Sequence, residues 1–339
     1  MQDKKELNMT QQHITHIKKV KVVNLWGKYD INWELDPKVN ILVGLNGSGK
    51  STLLHLIKEA LDINKFAHEM YPVFDDAEII FNNGTSRRFI LGGEFYEKTS
   101  QFMEEHARVD KSDNLKKYPP IVIEPSFDAD KSDYESKREL INFAYISTFD
   151  IAVKDKKSIE KFSQYHIDTE LDLELYHLMN TFVSYQLTLG KRVEKLFLES
   201  GNGHFKAKYN EIYAKKNFFI DCVNHLFEKT GKIIDYDSNE HIIFRQGDTI
   251  ITPYHLSSGE KQVLIILLHV LLQNNQPAML VMDEPEISLH LEWQESLLDH
   301  ILQLNEHVQV IIATHSPGIM MNGWLDKVTE IETITTPHY

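Results

Sequence analysis

The sequence contains a single cysteine, Cys222, among 339 residues. No internal disulfide framework and no Cys/His zinc cluster can be built around it. A reducing compartment, most simply the cytoplasm, is the expected setting. Long hydrophobic runs are missing too. The longest, residues 263–272, is interrupted by His269 and falls far short of the roughly 20 residues that a membrane span needs. The opening stretch, MQDKKELNMTQQH, is polar and lacks the apolar heart of a signal peptide. A soluble chain is expected, with no membrane contact of its own. An excess of positive charge is also absent: Lys and Arg number 36 against 50 Asp and Glu, for a net charge of -14. That argues against a surface that is basic overall and grips nucleic acid non-specifically. One local basic groove stays open. Apolar residues make up 42% of the chain, which allows a sizeable core.

Residues 1–13 read as a disordered leader. Val20 and Val22 alternate with lysines, which predicts a strand over about 17–25. An apolar run, Val39–Val43, ends at a glycine-rich loop. Leu53, Leu54, Ile57, Ala60 and Leu61 follow with helical period, so the loop joins a strand to a helix. Residues 77–91 read as a hairpin turning at Asn83-Gly84, with Ile79 and Phe81 facing Phe89 and Leu91. Further on, Leu171, Leu175, Leu178, Phe182, Tyr185 and Leu189 are spaced four and three alternately, the seam of a coiled coil. After a break at 200–203, Ile212, Phe219, Val223 and Leu226 mark a second helix. An antiparallel helical arm is expected, about 45 Å long for about 30 residues. Two ordinary helices packed on the core are the alternative. Strands return at Ile233–Tyr236 and 241–244, then a helix near 258–273, a strand at 279–282, a helix over 288–304 and a strand at Val308–Ala313. Alternating strands and helices imply a mostly parallel sheet, so the arm interrupts one α/β domain.

Gly44-Leu45-Asn46-Gly47-Ser48-Gly49-Lys50-Ser51 fits G-x-x-x-x-G-K-[ST]. A polyphosphate must be wrapped by backbone N–H groups, and glycines clear the approach. The helix that starts here points its positive end at the phosphates. Asn46, Ser48 and Thr52 belong to the same expected binding set. Lys50 supplies a cation near the β and γ groups, and Ser51 offers a hydroxyl to Mg²⁺. The apolar strand Leu280-Val281-Met282 delivers Asp283 to the metal and Glu284 to the place where water attacks the γ-phosphate. His315, just past the strand Val308–Ala313, is placed to sense that phosphate. Ser257, Ser258, Gly259 and Glu260 open an apolar helix with a hydroxyl cap and free N–H groups.

The order of these segments, phosphate loop, LSSGEKQ, MLVMDEPE, ISLH and ATHSP, resembles the motif order of ABC-type ATPases. The resemblance implies ATP and Mg²⁺ as cofactors, Glu284 and His315 as catalytic residues, and Ser51 with Asp283 as metal ligands. It also implies a head-to-tail homodimer, or a higher even-numbered oligomer, in which Ser257 to Glu260 of one copy complete the site of the other. Residues 286–290 would then cross the dimer interface. The glutamine loop usual in that family is missing: residues 144–150 contain no glutamine, and Gln164 is a weak stand-in. Trp26 and Tyr29 are the aromatic candidates for stacking on adenine. Within the family the chain looks like the SMC, RecF and OLD branch, where a helical arm divides the ATPase. The expected fold is therefore an ABC-type P-loop domain of class α/β with an antiparallel β-subdomain and an inserted short coiled-coil arm. Its parts would be 14–155, the arm 156–232, and 233–339. OLD proteins carry a nuclease module after the ATPase, and only 24 residues follow His315 here. The chain thus resembles stand-alone ATPase subunits of bacterial anti-phage systems such as PARIS and Septu, with a separate nuclease-like effector as partner. DNA is the other partner considered, through Lys191, Arg192, Lys195, Lys206, Lys208, Lys215 and Lys216 on the arm, although the overall charge does not point to it.

Overall fold

A computed structural model describes residues 13–62, 74–91, 121–125, 141–147, 167–199 and 205–338. The leader, apart from His13, the boundary at 155/156 and Gln164 lie outside them. In chain order the elements are β1 (Ile17–Leu25), β2 (Tyr29–Glu34), β3 (Val39–Val43), α1 (Lys50–Leu61), β4 (Asp76–Phe81), β5 (Ser86–Leu91), β6 (Ile121–Pro125) and β7 (Phe143–Ser147). Then come α2 (Glu170–Glu199), α3 (Phe205–Leu226), β8 (Ile233–Tyr236), β9 (Ile242–Gln246), β10 (Thr249–Ile251), α4 (Ser258–Leu272), β11 (Ala278–Asp283) and α5 (Leu291–Leu304). The chain finishes with β12 (Val308–Ala313), α6 (Pro317–Met321), β13 (Val328–Glu330) and β14 (Thr335–Pro337).

Three sheets organise these strands. A five-stranded sheet runs β13-β3-β12-β11-β7, and every pairing in it is parallel. Every residue of β11 and β12 is buried. This is why both strands are almost wholly apolar. Gln309, the polar residue inside β12, is satisfied by hydrogen bonds to the backbone of Ile17 and Asp36. A six-stranded antiparallel sheet, β14-β2-β1-β4-β5-β6, forms a second layer. Helix α1 packs between the two: Leu53, Leu54 and Ile57 share one core with Val20, Val22 and Ile79 of the antiparallel sheet and with Val281 and Ile311 of the parallel one. On its other face the parallel sheet meets α4 and α5, with Leu280, Val310 and Ile312 packed among Leu264, Leu267 and Ile301. A small antiparallel sheet, β10-β9-β8, completes the set.

The hairpin β4–β5 turns at Asn83-Gly84, but its register differs from the expected one. Phe81 N–H donates to the Thr85 carbonyl at 2.8 Å, so the loop closes tightly. Ile79 then faces Arg87, and Phe89 faces Ala77. An antiparallel pairing of the expected residues would set Ile79 against Leu91 and Phe81 against Phe89. The shift is therefore four residues, an even number, and the apolar face still points to the core.

The α2–α3 pair combines both expected arrangements. Near the body, Leu171, Leu175, Leu178 and Phe182 of α2 and Phe219, Val223 and Leu226 of α3 belong to the same core as α4 and β11. Farther out, Leu189 and Leu196 stay buried, while Leu187, Phe197 and Leu198 are exposed. At 30 residues α2 extends about 45 Å. Among the described residues no helix is long and apolar enough to cross a membrane.

The two ends of the helix pair should therefore respond differently to truncation. Phe182→Ala removes a ring packed on Phe219 and Tyr236 and should cost about 3–5 kcal/mol in urea unfolding. Phe197→Ala, at an exposed position, should stay within about 0.5 kcal/mol.

Candidate active site

The parallel strands β3, β11 and β12 all end on the same edge, where an α/β sheet presents its ligands. From β3 the chain enters the phosphate loop. Gly44, Gly47 and Gly49 have φ values of 154°, 78° and 103°. At Gly49 a Cβ would lie 2.8 Å from the ring of Trp26, so the loop needs both the left-handed backbone and the missing side chain. Lys50 is buried. Its Nζ donates to the carbonyl oxygens of Gly44 at 2.9 Å and Leu45 at 3.1 Å. It also lies 2.8 Å from His315 Nε2. A lysine has only donors, so Nε2 accepts here.

At the end of β11, Ser51 Oγ donates to Asp283 Oδ1 at 3.1 Å. Burial pushes the Asp283 carboxyl above its ordinary value. The Ser51 hydrogen bond and Lys50 oppose that rise, and the charges of Glu284 and Glu286 add to it. The next residue, Glu284, leaves the strand with φ 48°, an uncommon conformation for a non-glycine residue. Its N–H donates to the Ala313 carbonyl at 2.8 Å. Its carboxylate reaches within 3.7 Å of His315 Nε2. Glu286, expected only as part of an interface loop, accepts from the His315 backbone N–H at 2.8 Å. It therefore ties the two loops together.

A cleft of about 650 Å³ is lined by Trp26, Asn46, Gly47, Gly49, Lys50, Ser51, Thr52, Glu284 and His315. Trp26 is in it and Tyr29 is not, which separates the two aromatic candidates. Ser48 and Gly44 do not line the cleft: Ser48 Oγ is buried close to Gly44, and the Ser48 N–H donates to the Leu45 carbonyl at 3.2 Å. Gly44 itself is packed against Ile331 and Glu332.

Ser257, Ser258, Gly259 and Glu260 do not line this cleft. Ser257 caps α4: its hydroxyl accepts from Glu260 N–H, and Glu260 Oε2 accepts from Ser257 N–H at 2.9 Å, a complete capping box. Ser257 and Ser258 are exposed. A Cβ at Gly259 would overlap the Ser288 carbonyl oxygen, so the tip of α4 rests directly on the loop after Glu284. The expectation for Glu260 is corrected. Its motif groups it with the ligand-binding residues, yet it is 2% exposed and its carboxylate is engaged by Ser257, Thr230 and Lys232. Its neighbours in sequence gave no sign of Thr230 and Lys232, about 30 positions away. Burial opposes ionisation, but the hydrogen bonds from Lys232, Ser257 and Thr230 outweigh it and hold the carboxyl below its ordinary value.

Glu260→Ala would strand the Lys232 ammonium and remove half of the cap. The expected cost is about 3–5 kcal/mol in denaturant unfolding at neutral pH. The folded pKa lies below the unfolded one. The ionic contribution of Glu260 is therefore complete above the unfolded value and is lost as pH falls through the folded value. The gap between wild type and variant should narrow below about pH 4.5.

Comparison with known proteins adds to this geometry. The family model described as "AAA domain, putative AbiEii toxin, Type IV TA system" matches residues 39–322. The Retron Vc95 probable ATPase of Vibrio cholerae serotype O1 biovar El Tor is 20% identical over 360 residues, covering 88% of this chain and 70% of that protein. Among solved structures, the SMC head bound to the C-winged helix domain of ScpA aligns over 91% of both chains at 15% identity, with a TM-score of 0.53. The recombination mediator RecF aligns over 91% of this chain and 95% of its own at 14% identity, with a TM-score of 0.44. With the phosphate loop, acidic strand end and histidine gathered in one cleft, and most of its length matched by one family model, the chain belongs to this AAA-domain family and is an ATPase with the fold of an SMC head.

Proposed function

We propose that the chain is an ATP-driven switch that closes head to tail with a second copy and scaffolds a separate effector, in cytoplasmic anti-phage defence. One observation carries this reading. The cleft holds Lys50, Ser51, Glu284 and His315 of its own chain, whereas the Ser257-Ser258-Gly259 tip, with both serines exposed, lies outside it. Such a tip, with a hydroxyl and free N–H groups at a helix start, suits an anion. A second copy supplies that anion as its bound triphosphate. The retron ATPase relative supports the defence setting.

The chain's own groups then act as follows. Lys50 leaves the carbonyls of Gly44 and Leu45 for the β and γ phosphates. His315, released from Lys50, carries a proton on Nε2 and donates a hydrogen bond to the γ-phosphate. Glu284 orients and deprotonates the attacking water. Trp26 stacks on the base. The site also suits Mg²⁺: the Ser51 hydroxyl and the desolvated Asp283 carboxylate adjoin each other, and Glu284 and Glu286 leave an excess of negative charge around them. When bound, the ion would neutralise negative charge on the phosphates. Ser51 and Asp283 would hold it.

A second reading, a DNA-binding ATPase of the SMC and RecF kind, draws on the arm. Lys191, Arg192, Lys195, Lys206 and Lys208 are exposed there. Lys215 bonds the Gln303 carbonyl, and Lys216 lies over the rings of Phe182, Tyr213 and Tyr236, which leaves those two less available. Binding of labelled duplex with ATP at two salt concentrations separates the readings. Salt-dependent affinity favours DNA, and none removes it.

Glu284→Gln should retain ATP and elute as a stable dimer on sizing chromatography, with turnover reduced by about 100-fold or more. Lys50→Ala should lose nucleotide binding. An elution volume for Glu284→Gln that ATP does not change would refute the role given to Glu284.

A further inference from the structure

The first turn of α4 contains two consecutive charged residues, Glu260 and Lys261, and both are buried. Charges removed from water need partners, and an apolar pair would stabilise this position at least as well. The partners are not scattered. Glu260 Oε1 accepts from Thr230 Oγ1 at 3.0 Å and from Lys232 Nζ at 2.6 Å, just after α3 ends. Lys261 Nζ donates to Asp172 Oδ1 at 2.6 Å, in the first turn of α2. The other oxygen of Asp172 accepts from the N–H groups of Asp168 at 3.2 Å and Thr169 at 3.1 Å, so it also fixes the start of α2. One helical turn thus holds the beginning of the arm with a cation and its end with an anion. That turn directly follows Ser258 and Gly259.

Apolar packing tolerates small slips. Charge pairs in a low-dielectric interior do not, because a displaced charge loses its partner and finds no water. We propose that Glu260 and Lys261 are positioning residues for ATP hydrolysis, which lock the Ser258-Gly259 tip to both roots of the helical arm, so that a tilt of the arm moves the tip against the nucleotide of the opposite copy. The inference rests on the reading that the tip acts across the dimer. A misplacement of about 1 Å at such a tip is enough to lower turnover on the order of 100-fold. Ligand on the arm and ATP in the cleft are thereby linked, although no residue of the arm need touch ATP.

The test uses the full chain with Lys261→Met and Asp172→Asn, singly and together. The amide introduced by Asp172→Asn keeps an oxygen for the start of α2. Three quantities are measured: affinity for a fluorescent ATP analogue, the unfolding midpoint, and turnover at saturating ATP over a range of protein concentration. Leu298→Ala, in the core away from the tip, serves as a control for lost stability. The expected result is nucleotide affinity within about twofold of wild type and turnover reduced by about tenfold or more in each single variant. The double variant should be no worse than the poorer single one, because the pair acts as a unit. Turnover equal to wild type, or reduced only as far as in Leu298→Ala at the same fraction folded, would overturn the proposal. If Lys261→Met does not fold, Lys232→Met at the other root carries the same expectation and the same refutation. Ser258→Arg distinguishes the two levels. Wild-type turnover that is first order in protein and indifferent to Ser258→Arg sinks the shared-site reading itself. Second-order turnover that Ser258→Arg abolishes, with Lys261→Met at wild-type rate, sinks only the linkage.

Discussion

A sheet covered on both faces cannot hold a charge inside it. This constraint orders the rest of the molecule. Strands β11 and β12 are buried throughout, so their charged residues can appear only where the strands end. Because the strands are parallel, those ends share one edge, and Asp283, Glu284 and His315 emerge there beside the loop that follows β3. Closeness of groups far apart in sequence is thus a consequence of strand direction. Lys50 and His315 are 265 positions apart and 2.8 Å distant.

The polar groups of the cleft hold one another in place. Lys50 rests on two backbone carbonyls and on His315. Asp283 rests on a hydroxyl, with its carboxyl raised by burial. Glu284 is kept in a left-handed backbone by its bond to Ala313. Each of these is a small conflict of the kind that functional sites carry and cores avoid. The tip of α4 shows the opposite character. Its cap is complete, Gly259 is packed against a backbone carbonyl, and the buried charges Glu260 and Lys261 both have partners. A rigid tip outside a strained cleft is what the proposed sharing of one site between two copies requires.

The helical arm is neither a free coiled coil nor a plain pair of core helices. Its roots belong to the same core as the α4 helix, and its outer seam closes on Leu189 and Leu196. A seam of this length gains little stability by itself, so the roots anchor it.

Much of this is legible in the sequence. The phosphate loop declares itself because its glycines, lysine and serine are contiguous, and the strand ends declare themselves because an apolar run stops at an acid or a histidine. The alternation of helix and strand points to the parallel sheet for the same reason: period and burial are local properties. What the sequence could not state is which distant groups meet. It places Glu260 among ligand-binding residues because it sits in LSSGEKQ, and only packing reveals that its carboxylate faces Thr230 and Lys232. It offers Trp26 and Tyr29 equally, and only the fold brings Trp26 over Gly49. It assigns the hairpin its face but not its register, because the register depends on how tightly the turn closes. Residue types and their spacing along the chain determined the chemistry available. The choice of partners was left to tertiary structure, because a buried charge is satisfied by whatever the fold brings within reach, however far away it lies in the chain.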